Sequence, residues 1–306
     1  MSYHIPVLLD EAINALNIRD DGFYIDATAG GGGHAFAIAS KLTAGRLIAL
    51  DRDPDAVKEA SKRLEGLRAT VVLANFTEMA SVLHEQGIKA VDGILMDIGV
   101  SSHQLDAPER GFSYHADAPL DMRMSQSGKS AAQLINTLDE QQLTDIFFKY
   151  GEEKYSRYIA RAIIRERQIE DITTTGRLAE IIKNAVPAKY RRQGHPARRV
   201  FQALRIEVND ELNILSAALD TAFSCLSANG RLAVITFHSL EDRIVKRRFS
   251  QWCRGCVCPP DFPICVCGKK PDAHFVLKKP VQPSGNELES NPRSRSAKLR
   301  CIEKNP

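Results

Sequence analysis

From residue 23 onward, short apolar runs and helix-period segments alternate at a steady beat. "FYIDAT" (23–28), "RLIALD" (46–51), "ATVVLA" (69–74) and "DGILMD" (92–97) are near-continuous apolar runs, and "HAFAIASKL", "PDAVKEASKRL" and "EMASVLHEQ" between them carry helical spacing. Strands that lack polar alternation are covered by helices on both faces, so the pattern predicts a parallel α/β sheet. After residue 106 the beat stops. The turn-rich stretch "DAPERGFSYHADAPLDMRMSQSGKS" leads into helical patterns near 130–149, 154–168, 174–185 and 197–226. Strand signals return at "GRLAVITF" (230–237), "HFVLKK" and "KLRCIEK", and late strands of this kind often close a doubly wound sheet with an antiparallel edge. The expected architecture is a doubly wound, mostly parallel, Rossmann-like α/β sheet from residues 1–105 and 213–306, interrupted by an inserted all-helical domain over 106–212.

The first strand runs into four glycines, "FYIDATAGGGGH" (23–34). In an open parallel sheet ligands bind beyond the carboxyl ends of the strands, and the first strand-to-helix turn lines that crevice. Gly30, Gly32 and Ala35 satisfy G-x-G-x-x-A, and Asp51 ends the second strand about 20 residues on, where an acid takes ribose hydroxyls. This much fits a nicotinamide dinucleotide as well as S-adenosylmethionine. Asp26 separates them, because a carboxylate beside the turn repels a pyrophosphate and attracts a sulfonium and an ammonium. Asn75, Phe76 and Asp97 at the ends of the third and fourth strands suit a nucleoside lying across several strand ends. A glycine turn without a ligand is the plain structural alternative.

Length and composition add limits. The 306 residues suffice for a full core, and a net charge of +3 implies no polyanion partner by itself, so any such partner has to be argued from local clusters. The opening "MSYHIPVLLDEAINALNI" has no basic n-region before an apolar core, and no later stretch has the apolar length of a membrane span; a cytoplasmic address without a membrane partner is expected. Local basic clusters are present. On a helical projection of "RRVFQALRIEVNDELNIL", Phe201, Leu204, Val208, Leu212 and Leu215 form the apolar face, and Arg198, Gln202, Arg205 and Asn209 form a polar stripe. "KYRRQGHPARR" adds Lys189, Arg191, Arg192, His195 and Arg199, and "RIVKRRF" adds Arg243, Lys246, Arg247 and Arg248. Such clusters neutralise phosphates, which makes Arg191, Arg192, His195, Arg198 and Arg205 candidate substrate contacts; a solvated basic face is the alternative. Phe112, Tyr114 and Tyr155 are either stacking surfaces for unpaired bases or core.

Seven cysteines are present, five of them within residues 253–267. In a reducing compartment such crowding reads as free thiols or a metal site before disulfides. Cys256, Cys258, Cys265 and Cys267 make a C-x-C…C-x-C pattern, whereas structural zinc more often uses C-x₂₋₄-C pairs. A zinc site and a Pro-rich hairpin of reduced thiols both fit. Cys225 and Cys301, in apolar runs, read as core.

Several segments together, among them "YIDATAGGGGH" (24–34), "ILMDIGVSSHQLD" (94–106), "ERGFSYHADAPLDMRM" (109–124), "HPARRVFQALRIEVNDEL" (195–212) and "FHSLEDRIVKRRF" (237–249), resemble the ribosomal RNA small subunit methyltransferase H family nearly end to end. The resemblance implies an S-adenosylmethionine-dependent methyltransferase fold and methylation of the exocyclic N4 amine of a cytidine in the decoding region of bacterial 16S rRNA. The implied partner is small-subunit rRNA within an assembling or assembled 30S particle. It places cofactor contacts at Gly32, Gly33, His34, Asp51, Phe76, Asp97 and Gln104. Chemistry makes Asp97 the leading catalytic candidate, as an acceptor for the amine N–H groups. Many amino-methyltransferases carry Pro-Pro-aromatic after that acid; this chain reads "DIGVSSHQ", which leaves the base-stacking residue unassigned. His238 either seats the base or is structural. Methylation at C5 would need a cysteine nucleophile, commonly after proline, and no Pro-Cys dipeptide occurs. The rivals are an NAD-dependent oxidoreductase and an RNA-binding ribosome-assembly factor of this fold without turnover.

Overall fold

The structure is a computed structural model that describes residues 6–125, 127–192, 194–256, 258, 259, 262, 264 and 266–306. It divides into two compact units, one of residues 1–99 and 212–306 and one of residues 100–211. The first half of the sheet unit runs α1 (Leu9–Leu16), β1 (Phe23–Asp26), α2 (Gly33–Ala39), β2 (Arg46–Asp51), α3 (Pro54–Arg63), β3 (Ala69–Leu73), α4 (Met79–Glu85) and β4 (Val91–Asp97). The helical unit holds α5 (Ser102–Asp106), α6 (Ala131–Thr137), α7 (Glu140–Gly151), α8 (Ser156–Arg167), α9 (Thr175–Ala185), α10 (Ala188–Arg191) and α11 (Ala197–Asn209). The chain then returns through α12 (Glu211–Cys225), β5 (Leu226–Thr236), α13 (Ser239–Trp252), β6 (Ala273–Phe275), α14 (Gly285–Ser290) and β7 (Lys298–Lys304).

The seven strands lie in the order β3-β2-β1-β4-β5-β7-β6. The first five are mutually parallel, and β7 runs antiparallel to both β5 and β6. Successive residues of one strand enter opposite cores, which is why the strands lack polar alternation. In β4, Ile94 and Met96 pack with Met79, Leu215, Val245 and Phe249 on one face. Leu95 packs on the other with Tyr24, Leu16, Ile38 and Ala60. Among the described residues no helix is long and apolar enough to cross a membrane.

Three expectations about elements are corrected. The pattern over 197–226 is two helices, because Asp210 takes a left-handed φ of 49° and ends α11. Leu212 and Leu215 therefore leave the face of Phe201 and Leu204 and belong to α12. The pattern over 130–149 also breaks, where Asp139 starts α7 with its own capping box to Gln142. "HFVLKK" contributes only Ala273–Phe275 as strand; the amides of Val276 and Leu277 both turn to the Cys301 carbonyl. Asn209, placed by sequence on a polar stripe, is buried instead. Its Oδ1 accepts from Met124 N at 2.9 Å and its Nδ2 donates to Met122 O at 2.7 Å, holding the irregular 122–124 segment to the end of α11. Asn209→Ala would leave both backbone groups unsatisfied, and urea denaturation followed by a probe in the helical unit should show a loss of about 2–4 kcal/mol.

Candidate active site

The carboxyl ends of β1, β2 and β4 each carry an aspartate; Asp26 is buried, and Asp51 and Asp97 are half-buried. Asp51 anchors the glycine turn: its Oδ2 accepts from Gly30 N at 2.8 Å and its Oδ1 from Asp53 N at 2.9 Å. Burial nonetheless raises its pKa, outweighing the two N–H groups that favour the charged form. A carboxylate has further lone pairs, so both bonds leave capacity for a ribose hydroxyl. Asp53 in turn caps α3 by accepting from Asp55 N, with Pro54 opening the helix.

Asp26 and Asp97 form a second level, joined through Thr28. The Asp97 amide donates to Thr28 Oγ1 at 2.6 Å, and the Thr28 amide donates to Asp26 Oδ1 at 3.1 Å. Among the described residues Asp26 Oδ2 and Asp97 Oδ1 are buried without a hydrogen-bond partner. Burial, with the neighbouring Asp51 charge, pushes Asp26 up to about 7. Burial and the charges of Asp26 and Glu241 push Asp97 well above the usual carboxylate range. Glu241, fully buried at the start of α13, accepts from Phe237 N at 2.8 Å and His238 N at 3.2 Å. Its other oxygen lies 2.9 Å from His238 Nε2 without hydrogen-bond alignment. His34 completes the cluster. Its Nε2 lies 3.0 Å from the Val7 carbonyl, which can only accept, so that nitrogen carries the proton. Nδ1 then faces Asp97 Oδ2 at 3.6 Å.

The four glycines do different jobs. Gly30 and Gly32 have φ of +50° and +75°, the left-handed region that favours glycine. A side chain on Gly33 would meet Pro6 Cγ at 2.4 Å, and one on Gly32 would meet the backbone of Ala60 at 3.2 Å. Internal packing therefore accounts for glycine at the two positions expected to admit a ligand, and the Gly32 amide is already bonded to Ala29 O. The open faces of the turn are at Gly30 and Gly31, where a Cβ would meet nothing within 4 Å. Phe76 opens a short 3₁₀ turn after β3 and stays half-buried, its ring partly presented. Asn75 caps that turn in a reciprocal box with Glu78, so its side chain is committed to local structure.

In the helical unit, Gln104 is buried and accepts from Ser101 N at 3.1 Å, while Ser101 Oγ accepts from Gln104 N. Arg192 and Arg198 are exposed, as is Lys189. Arg191 turns back to the Val186 carbonyl, and His195 stacks on Tyr114 with centroids 4.6 Å apart. Burial lowers the His195 pKa, so it adds no charge at neutral pH. Arg205 departs from the exposed stripe: it makes a two-pronged pair with Glu211 at 2.8 and 2.9 Å, with side-chain exposures of only 16% and 5%. Phe112 is core, and Tyr155 packs edge-on against Tyr190. On α13, Arg243, Lys246 and Arg247 are exposed while Arg248 pairs with Asp220. Sequence reasoning did not single out Thr28, Asp53 or Glu241. For Glu241 the available signal was the capping-box spacing of "HSLE".

Buried carboxylate oxygens that lack a donor fit a ligand bearing positive charge. Set at the strand ends of a doubly wound sheet with an antiparallel β7 beside β5, they define an S-adenosylmethionine-dependent methyltransferase. The chain belongs to the MraW methylase family, whose model matches residues 1–305. It is 54% identical over 304 residues to the ribosomal RNA small subunit methyltransferase H of Clostridium botulinum (strain Loch Maree / Type A3), covering 98% of each chain. It is 55% identical over 307 residues to the protein of that name from Symbiobacterium thermophilum, covering 99% of this chain and 96% of the relative. The Brevibacillus brevis protein of the same name is 52% identical over 307 residues, covering 99% and 98%.

The raised Asp26 pKa has a signed consequence. The folded state holds a proton that the unfolded chain releases near 3.8, so this contribution to stability is complete below that value and is lost as pH rises through about 7. Asp26→Asn keeps the neutral form. Urea unfolding of the ligand-free protein should give near-equal stability for variant and wild type at pH 4, and a variant more stable by on the order of 2–4 kcal/mol at pH 8.

Proposed function

We propose that the chain methylates the exocyclic N4 amine of a cytidine in the decoding region of 16S rRNA, in the cytoplasm, on an assembling or assembled 30S particle. The observation that carries this reading is Asp97 Oδ1, a buried carboxylate oxygen at the end of β4 with no donor of its own. When bound, S-adenosylmethionine supplies an electrophilic methyl group on a positively charged sulfur. A cation beside Asp26 and Asp97 favours their ionised forms, so the ligand that brings the methyl group also readies the acceptor.

Cytosine N4 is a poor nucleophile because its lone pair is delocalised into the ring. Asp97 Oδ1 accepts one N–H, which turns the lone pair out of the ring plane and in line with the methyl group. As the amine takes up the methyl group, its surplus proton would pass to Asp97, whose raised pKa suits it as a base. His34 Nδ1 faces the second oxygen of Asp97 at 3.6 Å, and the neighbouring Glu241 helps to raise the Asp97 pKa. Gly30 and Gly31 present the open backbone, Asp51 takes ribose hydroxyls, and Phe76 lies against adenine. Gly32 and Gly33 shape the turn at the start of α2, and Gln104 holds the start of α5 through Ser101.

For RNA, the exposed Lys189, Arg192 and Arg198 are the phosphate contacts this reading favours, with Arg191 and His195 shaping the same segment. Arg205 positions that helix end through Glu211, and His238 serves the cluster of Glu241. A groove of about 730 Å³ lined by Tyr158, Arg161, Arg165 and Arg177 is less suited, because those arginines already face Glu140, Glu166 and Glu170.

Asp97→Asn should lower label transfer from S-adenosylmethionine to 30S particles by about 100-fold or more while adenosylhomocysteine binding by calorimetry changes little. Full turnover in that variant would remove Asp97 from the chemistry. The double variant Arg192→Glu, Arg198→Glu should weaken rRNA binding at least roughly tenfold and flatten its salt dependence, with cofactor affinity unchanged. Comparison of rRNA from cells with and without the protein locates the methylated nucleotide, and binding without transfer would favour an assembly factor.

A further inference from the structure

We infer that the segment between α13 and β6 is a zinc clasp, with Cys256, Cys258 and Cys267 supplying three thiolates to one ion. Their sulfur atoms all lie within 4.8 Å of one another. Cys256 and Cys267 Sγ are 3.8 Å apart. Sulfurs at about 2.3 Å from a tetrahedral zinc stand roughly 3.8 Å from each other. A disulfide would bring them to about 2 Å. The spacing is thus that of co-ligands on a common centre. The narrow C-x-C pairs left this open in sequence; convergence in space of residues 256 and 267 favours a shared ion.

Local contacts agree. The Cys258 amide points to Cys256 Sγ at 3.4 Å, an N–H···S contact of the kind that stabilises a metal-bound thiolate. Arg254, Lys269 and Lys270 flank the three cysteines in the chain and offset the net negative charge of a zinc with three or more thiolates. Cys253 is not among the sulfurs that converge, which are those of Cys256, Cys258 and Cys267.

The segment also needs another source of order. Among its described residues no helix or strand forms between Cys253 and Asp272, and Phe262, Ile264 and Val266 are 53%, 73% and 73% exposed. Its apolar side chains therefore build no core under it. Short segments in that position are held by metal ligation, whose binding free energy serves as folding free energy. The sequence offers Cys265 as a fourth thiolate, and that residue lies outside the described residues. Zinc rather than calcium or magnesium follows from the sulfur ligands.

The test uses the full chain, purified reduced and without chelator, then desalted after exposure to zinc. Metal analysis should give about one zinc per chain, falling below about a tenth in Cys256→Ser, Cys267→Ser. Cobalt loading should give the thiolate-to-metal charge-transfer band and strong visible bands of a tetrahedral site, both lost in that variant. Should the double variant fail to fold by circular dichroism, Cys258→Ser serves, and its cobalt spectrum should lose charge-transfer intensity. Less than about a tenth of an equivalent in the zinc-exposed wild type overturns the inference. So does stoichiometric metal in the double variant, or a Cys256–Cys267 disulfide found by mass spectrometry in protein purified under reducing conditions.

Discussion

Charge held away from water at the carboxyl edge of the sheet is the constraint on which the remaining features turn. Asp26 and Glu241 are buried in the sheet unit, Asp97 Oδ1 is itself shut off from water, and the charges of Asp26 and Glu241 both weigh against an ionised Asp97. An isolated carboxylate in such surroundings is costly, and the usual remedies are a proton or a partner cation. The fold applies part of each remedy: the amides of Thr28, Phe237 and His238 satisfy some oxygens, and the raised pKa values of Asp26 and Asp97 favour a proton on each. The ligand-free protein thus carries an electrostatic deficit that a cationic guest relieves.

That deficit depends on strand packing rather than on the loops. β1 and β4 are parallel neighbours with Asp26 opposite Leu95, so Asp97 lies two residues further along, and Thr28 links the two by accepting from the Asp97 amide and donating its own amide to Asp26. β4 also pairs with β5, and the chain leaving β5 brings Glu241 to the same edge at the first turn of α13. The apolar layers above and below the sheet hold these ends in register, since the residues preceding Asp97 are locked into opposite cores.

Much of this was legible in the chain because strands covered on both faces leave unbroken apolar runs, as β2, β4 and β5 do; β6, exposed at His274 and Phe275, leaves none and is shorter than its sequence signal. The misses share a cause, namely interactions that no local window contains. Asp210 breaks a long helical pattern by a left-handed backbone, which moved Leu212 and Leu215 to another helix and brought Glu211 against Arg205. Gly33 is glycine because Pro6, distant in sequence, packs upon it. Asn209 looked like part of a polar surface and is a buried fastener for residues 122–124. Acids at strand ends were visible as candidates; their mutual coupling, and the arrival of Glu241, were not, because both arise from sheet order.

The placement of the helical unit between β4 and β5 bears on how the chain is made. β4 and β5 are central neighbours, yet the ribosome delivers β5 only after the whole of residues 100–211. Until then the first four strands have an unpaired margin along β4, in the middle of what will become the deepest part of the sheet. Nascent chains therefore pass through a stage in which β4 is an open template for wrong pairing, and that stage lasts until the residues between β4 and β5 and then β5 itself have been made.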